Sequence, residues 1–123
     1  MQDIVNWKSL NQIEDGCGGE IYKIFDTENS GLKNVEIAMC IFSPGEVASF
    51  HYHKNLEEIY FILEGEGLIE LDDKWYPVKV EDCIAIPRGL RHRIKNGSDS
   101  RILKFLSINS PEWNLSDMLQ VDE

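Results

Sequence analysis

From Glu20 onward the chain alternates between short β-type runs and turn residues, and in several runs, such as His51–His53 and Arg91–Lys95, side-chain type changes from one position to the next. That period of two is the mark of half-buried β-strands. The runs Glu20–Phe25, Val35–Phe42 and Val47–His53 come first, the last following the turn Ser43-Pro44-Gly45. Glu57–Leu63 ends at Glu64-Gly65-Glu66-Gly67, and Leu68–Leu71 and Trp75–Val78 flank Asp72-Asp73 as a tight hairpin. Cys83–Ile86 stops at Pro87, Arg91–Lys95 stops at Asn96-Gly97, and Arg101–Ile108 is the last long run. About nine short strands at this spacing predict an all-β fold, an antiparallel sandwich or barrel. Two stretches read differently. Val5–Leu10 fits either an extra strand or a short helical turn, and Glu112–Leu119 has weak helical spacing worth one or two turns.

At 123 residues the chain predicts one domain, 1–123, large enough to bury a core without disulfide or metal staples. The net charge of −10 argues against nucleic acid or an anionic membrane surface as a partner. Cys17, Cys40 and Cys83 form no close pair, which fits free thiols in a reducing compartment. Cys40 and Cys83 read as small apolar groups lining the interior, and Trp75 and Trp113 as core or interface anchors. The N-terminus lacks a basic start and an apolar run, and nothing approaches the roughly 18 apolar residues of a membrane span. A cytoplasmic protein is the expectation.

The chain has three histidines, and all fall in two short motifs: Gly45-x5-His51-x-His53-x4-Glu58-x6-Gly65 and Pro87-x-Gly89-x2-His92-x3-Asn96. His51 and His53 are two apart and share a strand face. Glu58 opens the next strand, where an antiparallel return sets it opposite them. Alternation puts one of Glu57 and Glu58 inside and the other outside, and the interval to Gly65 favours Glu58. Three imidazoles and a carboxylate suit one divalent transition metal (Mn, Fe, Ni, Co, Cu or Zn) with a position left for water or substrate, and not a dedicated Ca or Mg cage. Tyr60 shares the face of Glu58 and is a candidate proton shuttle as well as an ordinary core aromatic. Six of the 12 basic residues lie between Arg88 and Lys104. Arg91, Arg93 and Lys95 point outward if His92 points inward, so Arg88, in the turn before that strand, is the candidate for binding a carboxylate or phosphate.

These residues resemble the two conserved motifs of the cupin family. Gly45, His51, His53, Glu58 and Gly65 match the first, and Pro87, Gly89, His92 and Asn96 the second. The glycine expected to open the second motif is Glu81 here, followed by the usual acidic residue, Asp82. The resemblance spans Gly45 to Asn96, and the strand pattern extends it to about 20–108. It implies a small jelly-roll barrel, a double-stranded β-helix, with one metal held by His51, His53, Glu58 and His92. It also implies a stand-alone domain that forms a homodimer. Ile4, Val5 and Trp7 are then expected to form an edge strand across the dimer interface.

Function follows less directly, because one fold hosts many chemistries. The reading favoured here is a metal-dependent enzyme of isomerase or epimerase type acting on a sugar or other small hydroxy-carbonyl or anionic compound. A dioxygenase is the alternative, as is a non-catalytic module that senses or stores a small ligand.

Overall fold

The computed structural model describes residues 4–14 and 17–121. The parts of the predicted N-terminal segment and of the 1–123 domain at 1–3, 15–16 and 122–123 lie outside the described residues. Ten strands form in chain order: β1 (Glu20–Phe25), β2 (Glu36–Phe42), β3 (His51–His53), β4 (Glu57–Glu64), β5 (Glu66–Leu71), β6 (Lys74–Lys79), β7 (Cys83–Ile86), β8 (His92–Asn96), β9 (Leu103–Ser110) and β10 (Met118–Gln120). They make two antiparallel five-stranded sheets, ordered β1-β2-β9-β4-β7 and β10-β3-β8-β5-β6. This is the expected all-β jelly roll. No helix among the described residues is long and apolar enough to cross a membrane.

The register of the first sheet stacks its inward residues in rows. One apolar row runs Ile62, Phe105, Cys40, Ile21 across β4, β9, β2 and β1. Toward the other end the next row is Tyr60, Ser107, Ala38, and the last is Glu58, Asn109, Glu36. One end of the sheet is therefore oily and the other polar. Ile69, Val78 and Ile94 of the second sheet close over the apolar end. Phe42 and Phe105 lie 5.6 Å apart there, and burial of each contributes about 2–3 kcal/mol. This core makes no use of the histidines. Cys40 faces inward, but Cys83 is exposed, because Ile84 and Ile86 take the inward positions of β7.

Turn chemistry explains the boundaries. Asp72 and Asp73 have φ of 53° and 74°, the left-handed pair that a two-residue hairpin needs. Gly65 has φ 84°, and a Cβ there would collide with the Ile102 carbonyl. Glu81, standing where the motif has glycine, is also left-handed at φ 77°. A side chain in that region costs about 1 kcal/mol. Glu81→Gly is therefore expected to raise the thermal midpoint by roughly 4 °C in a calorimetric scan; an unchanged or lower midpoint counts against strain at this turn.

Three segments meet expectation only in part. Val47–His53 is a strand only at His51–His53. Val47 makes an isolated bridge to Lys95, Ala48 donates to the Ile94 carbonyl, and Ser49 then switches to the Cys17 carbonyl, which breaks the ladder. Trp7–Ser9 is a single 3-10 turn, not an edge strand. Trp7 packs on Tyr22 at 5.3 Å, with Lys104 Nζ 5.8 Å from its ring, so it is covered within its own chain, while Ile4 is 91% exposed. Finally, Leu115–Asp117 is a 3-10 turn, and Met118–Gln120 adds the edge strand β10 beside β3.

Candidate metal centre

The centre is built where the two sheets face each other at the polar end. β3 and β8 pair with His51 directly opposite His92, and His53 follows on the same face. The ligand atoms of the three imidazoles lie within 4.8 Å of one another, so that they form a group able to hold a metal ion. Glu58 reaches in from β4, with Oε1 3.2 Å from His92 Nε2 and 3.8 Å from His53 Nε2. It is 5% exposed, whereas Glu57 is exposed.

Hydrogen bonds on the far side of the rings decide which nitrogens face inward. His51 Nδ1 donates to the Ser49 carbonyl at 2.7 Å and His92 Nδ1 to the Leu90 carbonyl at 2.8 Å. Each Nδ1 then carries the proton, and each Nε2 keeps a bare lone pair. Ser107 Oγ donates to Glu58 Oε2 at 2.8 Å. Left over are His92 Nε2, both ring nitrogens of His53 and Glu58 Oε1, all buried without a hydrogen-bond partner. Two acceptors, His92 Nε2 and Glu58 Oε1, thus face each other at 3.2 Å. Buried acceptors that converge in this way are costly unless a cation lies between them, and a divalent metal fits that requirement.

The protonation states agree. Burial pushes the His51 imidazole down from 6.5 to about 4, reinforced by the neighbouring His92 and His53. His53 is likewise held below its ordinary value, mainly by burial. Burial pushes the Glu58 carboxyl up, but the adjoining His92 and His53 imidazoles and the Ser107 hydroxyl outweigh it and hold the group below the usual range. His51 and His53 are therefore neutral and Glu58 ionised near neutral pH, the forms that bind metal.

A cavity of about 50 Å³ opens on His51, His53 and Glu58, with Tyr60, Phe105, Ser107 and Asn109 among its walls. Tyr60 lies inside, its ring 6.4 Å from that of His92 and 4.7 Å from Phe105. Arg88 is exposed and does not line the cavity, although its turn is tied to the centre by the Gly89 amide donating to the His53 carbonyl at 2.7 Å. Arg91 and Arg93 face outward and pair with Asp73 at 2.9 Å and Glu70 at 2.7 Å. Asn96 is no ligand: its amide donates to the carbonyls of Phe42 and Arg101 and ties β8 to the opposite sheet.

Sequence reasoning missed two supports. Ser107 holds Glu58, and the signal was a polar residue at an inward position of β9. Asp117, 5% exposed, accepts from the Asn55 amide and side chain at 2.9 and 2.8 Å and from the Leu56 amide at 3.2 Å. It thereby clamps the loop between His53 and Glu58, and its Oδ2 lies 4.0 Å from His53 Nδ1. No local pattern marked it, since it acts 61 and 62 residues away.

Comparison with known proteins agrees with this geometry. Residues 38–109 match the family model of the cupin domain. The chain is 30% identical over 100 residues to the polyketide synthase CurC of Streptomyces cyaneus, covering 80% of this chain but only 65% of that protein, less than two thirds of its length. Among solved structures, a predicted oxalate decarboxylase from Thermotoga maritima superposes with a TM-score of 0.77 at 27% identity, over 89% of this chain and 99% of that one. The polyketide cyclase RemF of Streptomyces resistomycificus superposes with a TM-score of 0.83 over 100% of this chain and 87% of its own, but at 23% identity it speaks for the fold alone.

Proposed function

The chain belongs to the cupin family, and from that premise we propose that it is a metal-dependent enzyme catalysing proton transfer next to a carbonyl of a small hydroxy-carbonyl compound, as in an isomerase or epimerase. The observation that carries the proposal is the convergence of unpartnered His92 Nε2, His53 Nε2 and Glu58 Oε1 beside a cavity lined by His51, His53, Glu58 and Tyr60. His51, His53, His92 and Glu58 would hold the metal, which when bound supplies Lewis acidity to a carbonyl oxygen. The protein's own part is to bind, to shield and to move a proton. Phe42, Phe105 and Ile94 make the cavity wall apolar and keep bulk water out. Tyr60, two residues from Glu58 on the same face, has its hydroxyl as the proton carrier. The small cavity favours a ligand of few atoms over a polycyclic one.

Incubating the metal-loaded protein with a panel of small hydroxy-carbonyl compounds in D2O and following loss of the carbon-bound proton by NMR tests the reaction class. Exchange is expected with at least one compound and should fall about a hundredfold in Tyr60→Phe. Absence of exchange across the panel removes the proton-transfer reading, and wild-type exchange in Tyr60→Phe removes the role of Tyr60. Iron in the native protein would point instead to oxygen-dependent cleavage.

Homodimerisation belongs to the same proposal. Trp75 and Tyr76 on the edge strand β6 and Ile59 on the outer face of β4 remain exposed, which suits an interface better than solvent. Sedimentation equilibrium is expected to give twice the 14.2 kDa chain mass; a monomer at micromolar concentration contradicts it.

A further inference from the structure

The polar end of the first sheet does not stop at Glu58. Across β4, β9 and β2 the inward residues Glu58, Asn109 and Glu36 stand side by side in register. Adjacent strands are about 4.8 Å apart, so Asn109 sits one strand from the carboxylate at the centre and Glu36 two. Glu36 and Asn109 are 2% and 3% exposed, and both line the same cavity as His51 and His53, together with Trp113 and Lys23.

Part of this cluster is structural. Glu36 Oε1 accepts from Asn109 Nδ2 at 2.8 Å and from the Trp113 amide at 2.9 Å, which pins the segment after β9 over the sheet. That leaves Asn109 Oδ1, Glu36 Oε2 and Trp113 Nε1 buried without a hydrogen-bond partner. Oε2 has only an ion pair, 3.5 Å from Lys23 Nζ, which is itself shared with Asp26 at 3.8 Å. A bare acceptor, a bare donor and a carboxylate oxygen held only by a long ion pair are expensive to bury unless something fills their valences. Nothing in the metal centre uses them.

We propose that Asn109, Glu36 and Trp113 form a second polar subsite, which binds the distal hydroxyl of a ligand whose other end lies at the histidine cluster. A hydroxyl both donates and accepts, so it can donate to Asn109 Oδ1 or Glu36 Oε2 while accepting from the Trp113 indole N–H. Two carboxylates, Glu36 and Asp26, against one ammonium, Lys23, make an anionic distal group the wrong partner. Burial also pushes the Glu36 carboxyl up, against the opposing pull of Asn109, the Trp113 amide and Lys23, as expected for a wall that tolerates no extra negative charge. Asn109 neighbours Glu58 directly, so a three-carbon compound is long enough to reach it. The subsite rests on the proposed placement of the ligand's carbonyl end at the centre, and it narrows the ligand to a compound with a hydroxyl on the far side of its carbonyl.

Dihydroxyacetone and hydroxyacetone differ by one hydroxyl, and their dissociation constants with the metal-loaded protein can be measured by calorimetry. Dihydroxyacetone should bind about tenfold more tightly, the scale of one well-made buried hydrogen bond. Trp113→Phe, which removes the donor and keeps the ring, should bring the ratio close to one, and so should Asn109→Ala. Thermal midpoints of both variants show whether the segment after β9 still docks. A native ratio near one, a ratio that survives both substitutions, or failure of both compounds to bind overturns the subsite. Repeating the titrations after chelation separates the two ideas: affinities that ignore the metal defeat the reading of the centre, while the ratio still reports on the subsite.

Discussion

A His51→Ala/His92→Ala variant is expected to purify with less than about a tenth of an equivalent of transition metal and to keep its far-ultraviolet dichroism. The two residues face each other across β3 and β8, and their Nε2 atoms are held inward by the Ser49 and Leu90 carbonyls. Loss of one group that merely holds a ligand in place commonly weakens a metal site by about ten- to a hundredfold, so loss of two direct ligands should exceed about a hundredfold. The barrel should survive, because the apolar rows around Phe42, Ile62, Leu103 and Phe105 pack without the histidines. Removing the imidazoles also removes the unpartnered His92 Nε2 that faces Glu58 Oε1, so the metal-free variant should melt no lower than the metal-free wild type. Full occupancy in the double variant would sink the site. Glu58→Gln should lower affinity and Glu57→Gln should not, since Glu57 is exposed; the reverse pattern would move the carboxylate ligand to Glu57.

Asp117→Ala should be among the most damaging single substitutions far from the ligands in sequence. It would strip the acceptor from three donors around Asn55 and Leu56, two of them backbone amides in the loop that sets His53 against Glu58. Orphaning buried donors of a charged acceptor costs about 3 kcal/mol, which for a chain of this size lowers the midpoint by roughly 10 °C. Metal affinity should fall with it by about tenfold, because the loop no longer holds His53 and Glu58 in place. Asp117→Asn keeps one acceptor oxygen and should recover part of both losses. A variant with a wild-type midpoint and wild-type affinity would show that the loop holds itself.

The strands and the histidine cluster were readable for one physical reason: in a barrel, burial alternates with a period of two, and the residues that break the apolar side of that alternation are few. His51, His53 and His92 are such breaks, and so are Ser107, Asn109 and Glu36, which were passed over because no spacing rule drew attention to them. The hairpin at Asp72-Asp73 was visible because both residues tolerate the left-handed region it demands. The ends of the chain were readable only as short helical turns. Met118–Gln120 has too few residues to show a period and becomes a strand only because β3 offers an open edge, while Trp7 finds its partner in Tyr22, on a neighbouring strand. Cys83 illustrates the limit of composition, since an apolar residue type on an edge strand took the outward position once Ile84 and Ile86 had the inner ones.

The central claim is a metal held where His92 Nε2, the His53 ring nitrogens and Glu58 Oε1 otherwise have no hydrogen-bond partner. Elemental analysis of the native protein, purified without added metal or chelator and followed by titration of the apoprotein with manganese, iron, nickel and zinc, tests it most directly. About one equivalent per chain of a first-row transition metal, or uptake of one equivalent by the apoprotein with a rise in thermal midpoint, is the predicted result. A protein that carries no metal, takes up none and melts at the same temperature with or without it would contradict the account.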